Sequence, residues 1–397
     1  MPIPHLPRVA RRSGGFTLVE LLISMTIGLV LIAALGIIMN RYETSKRRTA
    51  TTSDLALNIS YVAYDMDRQL RSAGSGFLQN TGALGCLINA AVNGTVILPR
   101  NGAFPAPFAT VSTNVSAIPI MVYAGAGTGG SDIIQVMTAS AGLSEAPMEV
   151  RLNSVGANSL QLNNTLGIRG GDLMLLTEPA PRPCMVVQAA AGYVGGAAPS
   201  VDFGGPYFSG AIGPNIVSYG TSGVTTNLVN LGNQSGNTPR FQLLGINAAQ
   251  QLVGYDLLRL NNMPGNADQP VPLAEGVMNL RVRYGISSTM NGIVDSWAVP
   301  ETGTYTVANM NASTAAAATA MQQIVAVRVA MLMRGDRIED NTQVSPSSFT
   351  LFSSLPAGMQ VTLPVSADEQ KRNYKVVEFT VPIRNAVVAS PSRTPPP

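Results

Sequence analysis

Residues 16–39 read FTLVELLISMTIGLVLIAALGIIM, a 24-residue apolar run broken by one charge, Glu20. As a helix it spans about 36 Å at ~1.5 Å per residue, enough to cross a hydrocarbon core of about 30 Å. Arg8, Arg11 and Arg12 precede it and favour a cytoplasmic N-terminus. Arg41, Lys46, Arg47 and Arg48 follow it, so the charge asymmetry is not one-sided. A cleavable signal peptide is shorter and ends in a small-residue site. Here the only passable site, Ala34-Leu35-Gly36, runs straight on into Ile37, Ile38 and Met39. A core helix of this length would carry polar interruptions. A membrane anchor remains.

Working outward, the rest of the chain narrows the chemistry. Of 397 residues only 12% are charged, and the three arginines of residues 1–15 account for the whole formal charge of +3. The remainder balances 22 basic against 22 acidic side chains, which leaves no global footprint for nucleic acid. A surface wetted by Gly, Asn, Ser, Thr and Gln suits an exported protein. The single histidine, His5, lies in the leading segment, so His-based triads and most zinc-enzyme ligand sets are excluded beyond it. No metal and no cofactor is expected. Only carboxylate chemistry survives, leaving a membrane-anchored extracytoplasmic hydrolase as the remote alternative to a non-enzyme.

Two details separate this run from an ordinary anchor. Gly14-Gly15 gives a backbone without side chains immediately before it, which a peptidase can hold extended. Glu20 places a carboxylate where hydrocarbon penalises it by a few kcal/mol unless it is paired. Cleavage after Gly15 would create an amino group on Phe16, one turn before Glu20, and a neighbouring subunit's amine could then neutralise the carboxylate. The string Arg-Ser-Gly-Gly-Phe-Thr-Leu-Val-Glu-Leu-Leu-Ile (12–23) resembles the class III signal of type IV prepilins and type II secretion pseudopilins. The resemblance implies cutting between Gly15 and Phe16 by a prepilin peptidase, N-methylation of Phe16, and a subunit-assembly role for Glu20. Many major pilins carry a proline inside this helix, whereas residues 16–39 have none.

Leu55, Ile59, Val62, Met66 and Leu70 recur at spacings of 4, 3, 4 and 4, so the helix is predicted to continue with an amphipathic stripe. Asp67–Arg71 and Asp65–Arg68 are helix-spaced ion pairs, and Gly74-Ser75-Gly76 is a stop signal. A helix over about 16–73 would be ~87 Å long. Beyond it the period turns toward two, predicting strands at 95–98, 118–123, 132–138, 147–152, 172–177, 184–188, 239–244, 251–259, 277–285, 324–333 and 374–384. Residues 189–238 read as loop-rich, an insertion or a boundary between two lobes, and Ala308–Gln322 as a helix. The expected organisation is leader 1–15, membrane or filament-core helix 16–39, amphipathic continuation 40–74, β-rich head 75–388 and disordered tail 389–397. The fold class is α+β: a long N-terminal helical spine packed on a large β-rich C-terminal head.

Several stretches carry the resemblance further. Asp65-Met66-Asp67-Arg68-Gln69-Leu70-Arg71-Ser72-Ala73-Gly74 is similar to the end of the helix in the PilW family of minor pilins. Glu275–Gly285, Val325–Val329 and Phe379–Asn385 resemble that family's later strands. The resemblance implies a minor pilin that primes assembly or sits at the pilus tip. Its expected partners are prepilin peptidase, other minor pilins, the major pilin and a tip adhesin. The expected location is the inner membrane as a single pass with the N-terminus inside, then the periplasm and the extracellular pilus. The same N-terminal chemistry fits a type II secretion pseudopilin or a DNA-uptake pilus component.

Other patterns have plainer readings. Gly125–Gly130 is glycine-rich like a phosphate loop, but a strand-like segment follows it where a helix is required, so it reads as a hairpin connection. Arg334-Gly335-Asp336 spells an attachment tripeptide at a strand exit. Asp336, Glu339, Asp340 and Asn341 could offer oxygen ligands but lack an EF-hand register. Lys46-Arg47-Arg48 reads as a juxtamembrane patch for anionic lipid heads rather than a DNA contact. Cys86 and Cys184 form a candidate disulfide for an oxidising compartment, with two separate buried thiols as the alternative.

Overall fold

The computed structural model describes residues 15, 17–76, 78, 80, 83–141, 146–179, 182–196, 198–208, 216–221, 223–260, 268–338 and 345–389. The chain divides into two compact units, residues 1–54 and 55–397. Helix α1 runs Leu18–Arg71. In the first unit it is apolar and uncovered: Leu18–Glu43 has a mean hydropathy of 2.7, and none of it is buried inside the molecule.

The second unit begins with the stripe. Leu55, Val62, Met66 and Leu70 are buried and Ile59 is partly buried against the head's core, while Leu57, Tyr61 and Tyr64 face outward. The helix stops where glycines supply left-handed backbone, Gly74 at φ 75° and Gly76 at φ 82°. Strands follow in chain order: β1 (Ile88–Val92), β2 (Thr95–Leu98), β3 (Ile120–Tyr123), β4 (Ile133–Thr138), β5 (Met148–Glu149), β6 (Ser159–Gln161), β7 (Asp172–Thr177), β8 (Cys184–Gln188), β9 (Ser200–Asp202), β10 (Asn227–Asn233), β11 (Arg240–Ile246) and β12 (Leu252–Asp256). After β13 (Val271–Ala274), β14 (Val277–Ile286) and β15 (Ser296–Ala298) come the short helices α2 (Val307–Met310) and α3 (Ala315–Gln323). The chain continues through β16 (Ile324–Ile338), β17 (Ser348–Leu351), β18 (Val361–Pro364), β19 (Arg372–Pro382) and α4 (Arg384–Ala389).

Three sheets organise the head. A six-stranded sheet has the order β2-β1-β8-β7-β10-β5, a five-stranded sheet β13-β12-β11-β4-β3, and a four-stranded sheet β15-β14-β16-β19. The central strands β7 and β8 of the six-stranded sheet are buried on both faces. Leu173, Leu175 and Val186 join the main core, whereas Met174, Leu176 and Val187 join a second core closed by Leu160, Val201 and Tyr219. Such strands read as continuous apolar runs rather than alternations, as β7 (DLMLLT) does. The hairpin β17–β18 covers one face of the four-stranded sheet through Leu351, Phe352 and Leu363.

Two expectations are corrected here. Residues 189–238, read as loop-rich, also contain β9 and β10, and β10 pairs with both β7 and β5. Its Asn and Gly residues look like turn formers but serve the sheet. Asn230 and Asn233 donate to the buried Asp172 carboxylate at 3.0 and 2.7 Å, and Gly232 (φ 125°) forms a bulge. The helix expected over Ala308–Gln322 is broken in two. Ser313 sits at φ 51°, and Thr314 starts α3 afresh by accepting the Ala317 N–H. In the tail, Ala389 closes α4, and residues 390–397 lie outside the described residues.

Candidate functional site

The N-terminal motif is built by the start of α1. Thr17 is the residue before the helix, and Glu20 lies in its first turn. The Glu20 N–H donates to Thr17 Oγ1 at 3.3 Å, and the Thr17 N–H donates to Glu20 Oε2 at 3.5 Å. This reciprocal pair is a capping box, which satisfies two of the orphan amides at a helix start. The acidic side chain also complements the positive end of the helix dipole. Among the described residues, both contacts to the Glu20 carboxylate come from Thr17 and fall on Oε2. Gly15 is exposed, with nothing within 4 Å of where a side chain would begin. Gly14 and Phe16 lie outside the described residues. Thr17 was overlooked in the sequence, although Thr-x-x-Glu before an apolar run is a readable helix-start signature.

The second predicted pair lies in the head. Cys86 lies two residues before β1, and Cys184 opens β8. These strands are parallel neighbours, with Ile88 opposite Cys184. The two cysteines are joined as a disulfide with Cα atoms 5.6 Å apart.

The remaining patterns resolve into structural roles. Gly125–Gly130 connects the antiparallel neighbours β3 and β4, with Gly125 N–H donating to Asp132. Asp132 is fully buried, and burial pushes its carboxyl up even though Arg281 lies 3.1 Å away. Arg334 belongs to β16 and donates to both carboxylate oxygens of Glu369 at 3.1 Å. Glu339, Asp340 and Asn341 lie outside the described residues, and no acidic, His or Cys cluster fit for a metal occurs among the described ones. Lys46 lies over the Tyr42 ring at 4.7 Å. Asp65–Arg68 and Asp67–Arg71 form their ion pairs at 3.4 and 2.7 Å.

Sequence reasoning also missed a clasp around Asp268. Arg100 donates to both its oxygens at 2.6 and 2.8 Å, Tyr255 Oη donates at 2.6 Å, and Arg259 lies 3.1 Å away. The Arg100 hydrogen bonds hold this carboxyl down at about 2. No spacing signal announces such a cluster, because Arg100 lies 155 residues from Tyr255 and 168 from Asp268 in sequence.

With the geometry in place, comparison with known families is informative. Residues 10–36 match the family model described as the prokaryotic N-terminal methylation motif, and residues 247–385 match that of type IV pilus-assembly protein W. No curated protein and no solved structure matches the chain. A methylation motif on an apolar helix, followed by a β-rich head, defines a type IV pilin-like protein. Within that class the match over β12 to β19 makes this chain PilW-like. Pilin-family domains are structural rather than enzymatic, and the motif with its apolar helix fits membrane anchoring.

Proposed function

We propose that the chain is a minor pilin that helps initiate type IV pilus assembly within a tip complex. Prepilin peptidase cleaves between Gly15 and Phe16 and methylates the Phe16 amine. Before assembly the protein spans the inner membrane once, N-terminus inside. Afterwards its helix enters the filament core beside other minor pilins and the major pilin, with a tip adhesin as a further partner. The observation that carries this reading is Glu20, the one charge in 16–39, set in a matched methylation motif. Its described capping contacts both come from Thr17, and a carboxylate has about four lone-pair sites, so Glu20 keeps the capacity to accept a neighbour's Phe16 ammonium as well. That pairing relieves the cost of carrying the charge through lipid and fixes the axial stagger between subunits.

Mass spectrometry of the mature chain tests the processing. The expected N-terminus is N-methylated Phe16; a chain starting at Met1 in cells with active peptidase overturns the reading. Deleting the gene should sharply reduce piliation, with the protein itself scarce in sheared pili. Abundance matching the major subunit would reject the minor role.

A further inference from the structure

The longest edge strand among the head's three large sheets is β19. Sheet edges are normally short, twisted away or blocked, because unpaired N–H and C=O groups recruit other strands. The five other edges of the three large sheets are short or blocked. β5 has two residues, β15 three and β2 four, β13 contains Pro272, and the outward N–H of Val122 on β3 donates to Tyr284 Oη at 2.7 Å. β19 is different. It is eleven residues long and, among the described strands, pairs only with β16.

Register fixes which of its groups face outward. Ile383 N–H donates to Val325 O at 2.8 Å, and pairing continues as Val327 with Val381 and Val329 with Phe379. In an antiparallel ladder the intervening residues point away from the partner. These are Tyr374, Val376, Glu378 and Thr380, then Pro382, which has no N–H to offer. None of the first four gives or takes a main-chain hydrogen bond outside the ladder among the described residues. The strand's two faces are in use: Val377 and Phe379 pack on the main core, and Val376 packs under the β17–β18 hairpin. That leaves the outward main-chain groups, which have no partner outside the ladder among the described residues.

We infer that this edge takes an extended strand from another pilus subunit by main-chain pairing, a step that rests on the pilin reading above. Four alternating donor–acceptor pairs are matched by extended backbone and by no other common partner. The edge also lies inside the pilus-assembly match. A second copy of the chain fits less well. A twofold contact requires antiparallel self-pairing, in which outward residues face outward residues. Lys375 and Glu378 have opposite parity and never meet in that arrangement, and the register centred on Glu378 sets two carboxylates opposite each other.

The test uses the full-length mature chain in detergent, mixed with each other minor pilin of the same pilus, and follows amide hydrogen exchange. With the correct partner, Tyr374, Val376, Glu378 and Thr380 should exchange about tenfold more slowly, while Val377, Phe379 and Val381 change little because β16 already holds them. Thr380→Pro removes one outward donor without touching the β16 ladder and should weaken binding about tenfold, whereas Thr380→Val should bind normally. A complex that leaves edge exchange unchanged, failure of every minor pilin to bind, or protection that rises with the concentration of this chain alone overturns the inference. If the chain still begins at methylated Phe16, only this inference falls and the pilin reading stands.

Discussion

Glu20 carries two demands on one carboxylate, and they can be separated. Within its own helix it completes the capping box with Thr17; in the proposed filament it meets a neighbour's amine. Thr17→Ala removes the cap alone, at about 1 kcal/mol of local stability. Glu20→Ala removes both roles. Filament incorporation should therefore drop strongly in Glu20→Ala and little in Thr17→Ala, with cleavage at Gly15 normal in both. Equal defects on quantitative blots of sheared pili would mean that Glu20 acts only as a cap. Asp268 supplies a residue-level pH effect. Its folded pKa, about 2, lies below the ordinary 3.8, so the stability it adds is present above pH 4 and is lost as the pH falls from 4 toward 2. Asp268→Asn should flatten the pH dependence of the unfolding midpoint across that window; an unchanged slope would count against the clasp. Residues of the first kind were legible, because a charge in a greasy run stands out. The clasp was not, since Arg100 meets Tyr255 and Asp268 only across 155 and 168 residues of intervening chain.

At the level of elements, α1 was the most readable part of the chain. Its stripe has a period that only a helix satisfies, and Val62, Met66 and Leu70 are buried as that period requires. Leu70→Ala should cost ~2–5 kcal/mol by leaving a cavity, seen as a lowered melting temperature. Tyr64→Ala, on the exposed side, should leave the melting temperature nearly unchanged. Strands buried on both faces were also legible, because β7 and β8 are unbroken apolar runs between turn residues. β10 was hidden by its own chemistry: asparagines that serve Asp172 in the fold look like turn asparagines in the sequence. The break between α2 and α3 was hidden for a related reason. Alanine propensity favours one helix, but the Ser313-Thr314 pair restarts the chain locally.

For the whole molecule, the sequence announced the class through its first forty residues, whereas the arrangement of the sheets was silent in composition. The bridge between Cys86 and Cys184 ties two segments 98 residues apart in sequence, and closing a loop of that length stabilises by up to ~4.7 kcal/mol in the chain-entropy view. We expect a reductant, or Cys86→Ser with Cys184→Ser, to lower the denaturation midpoint of the mature protein; identical midpoints with and without reductant would show that the bridge adds nothing. Near its far end the chain returns to the end of α1, where the Asn385 amide donates to the carbonyls of Ser72 and Ala73, both at 3.1 Å and more than 300 residues earlier. A ribosome working at ~5–20 residues per second needs roughly 15–60 s to travel that far. Through that interval the end of α1 lacks the clamp that Asn385 supplies, so this corner of the head closes only once synthesis has passed residue 385, and a holding chaperone would have its greatest effect before that point.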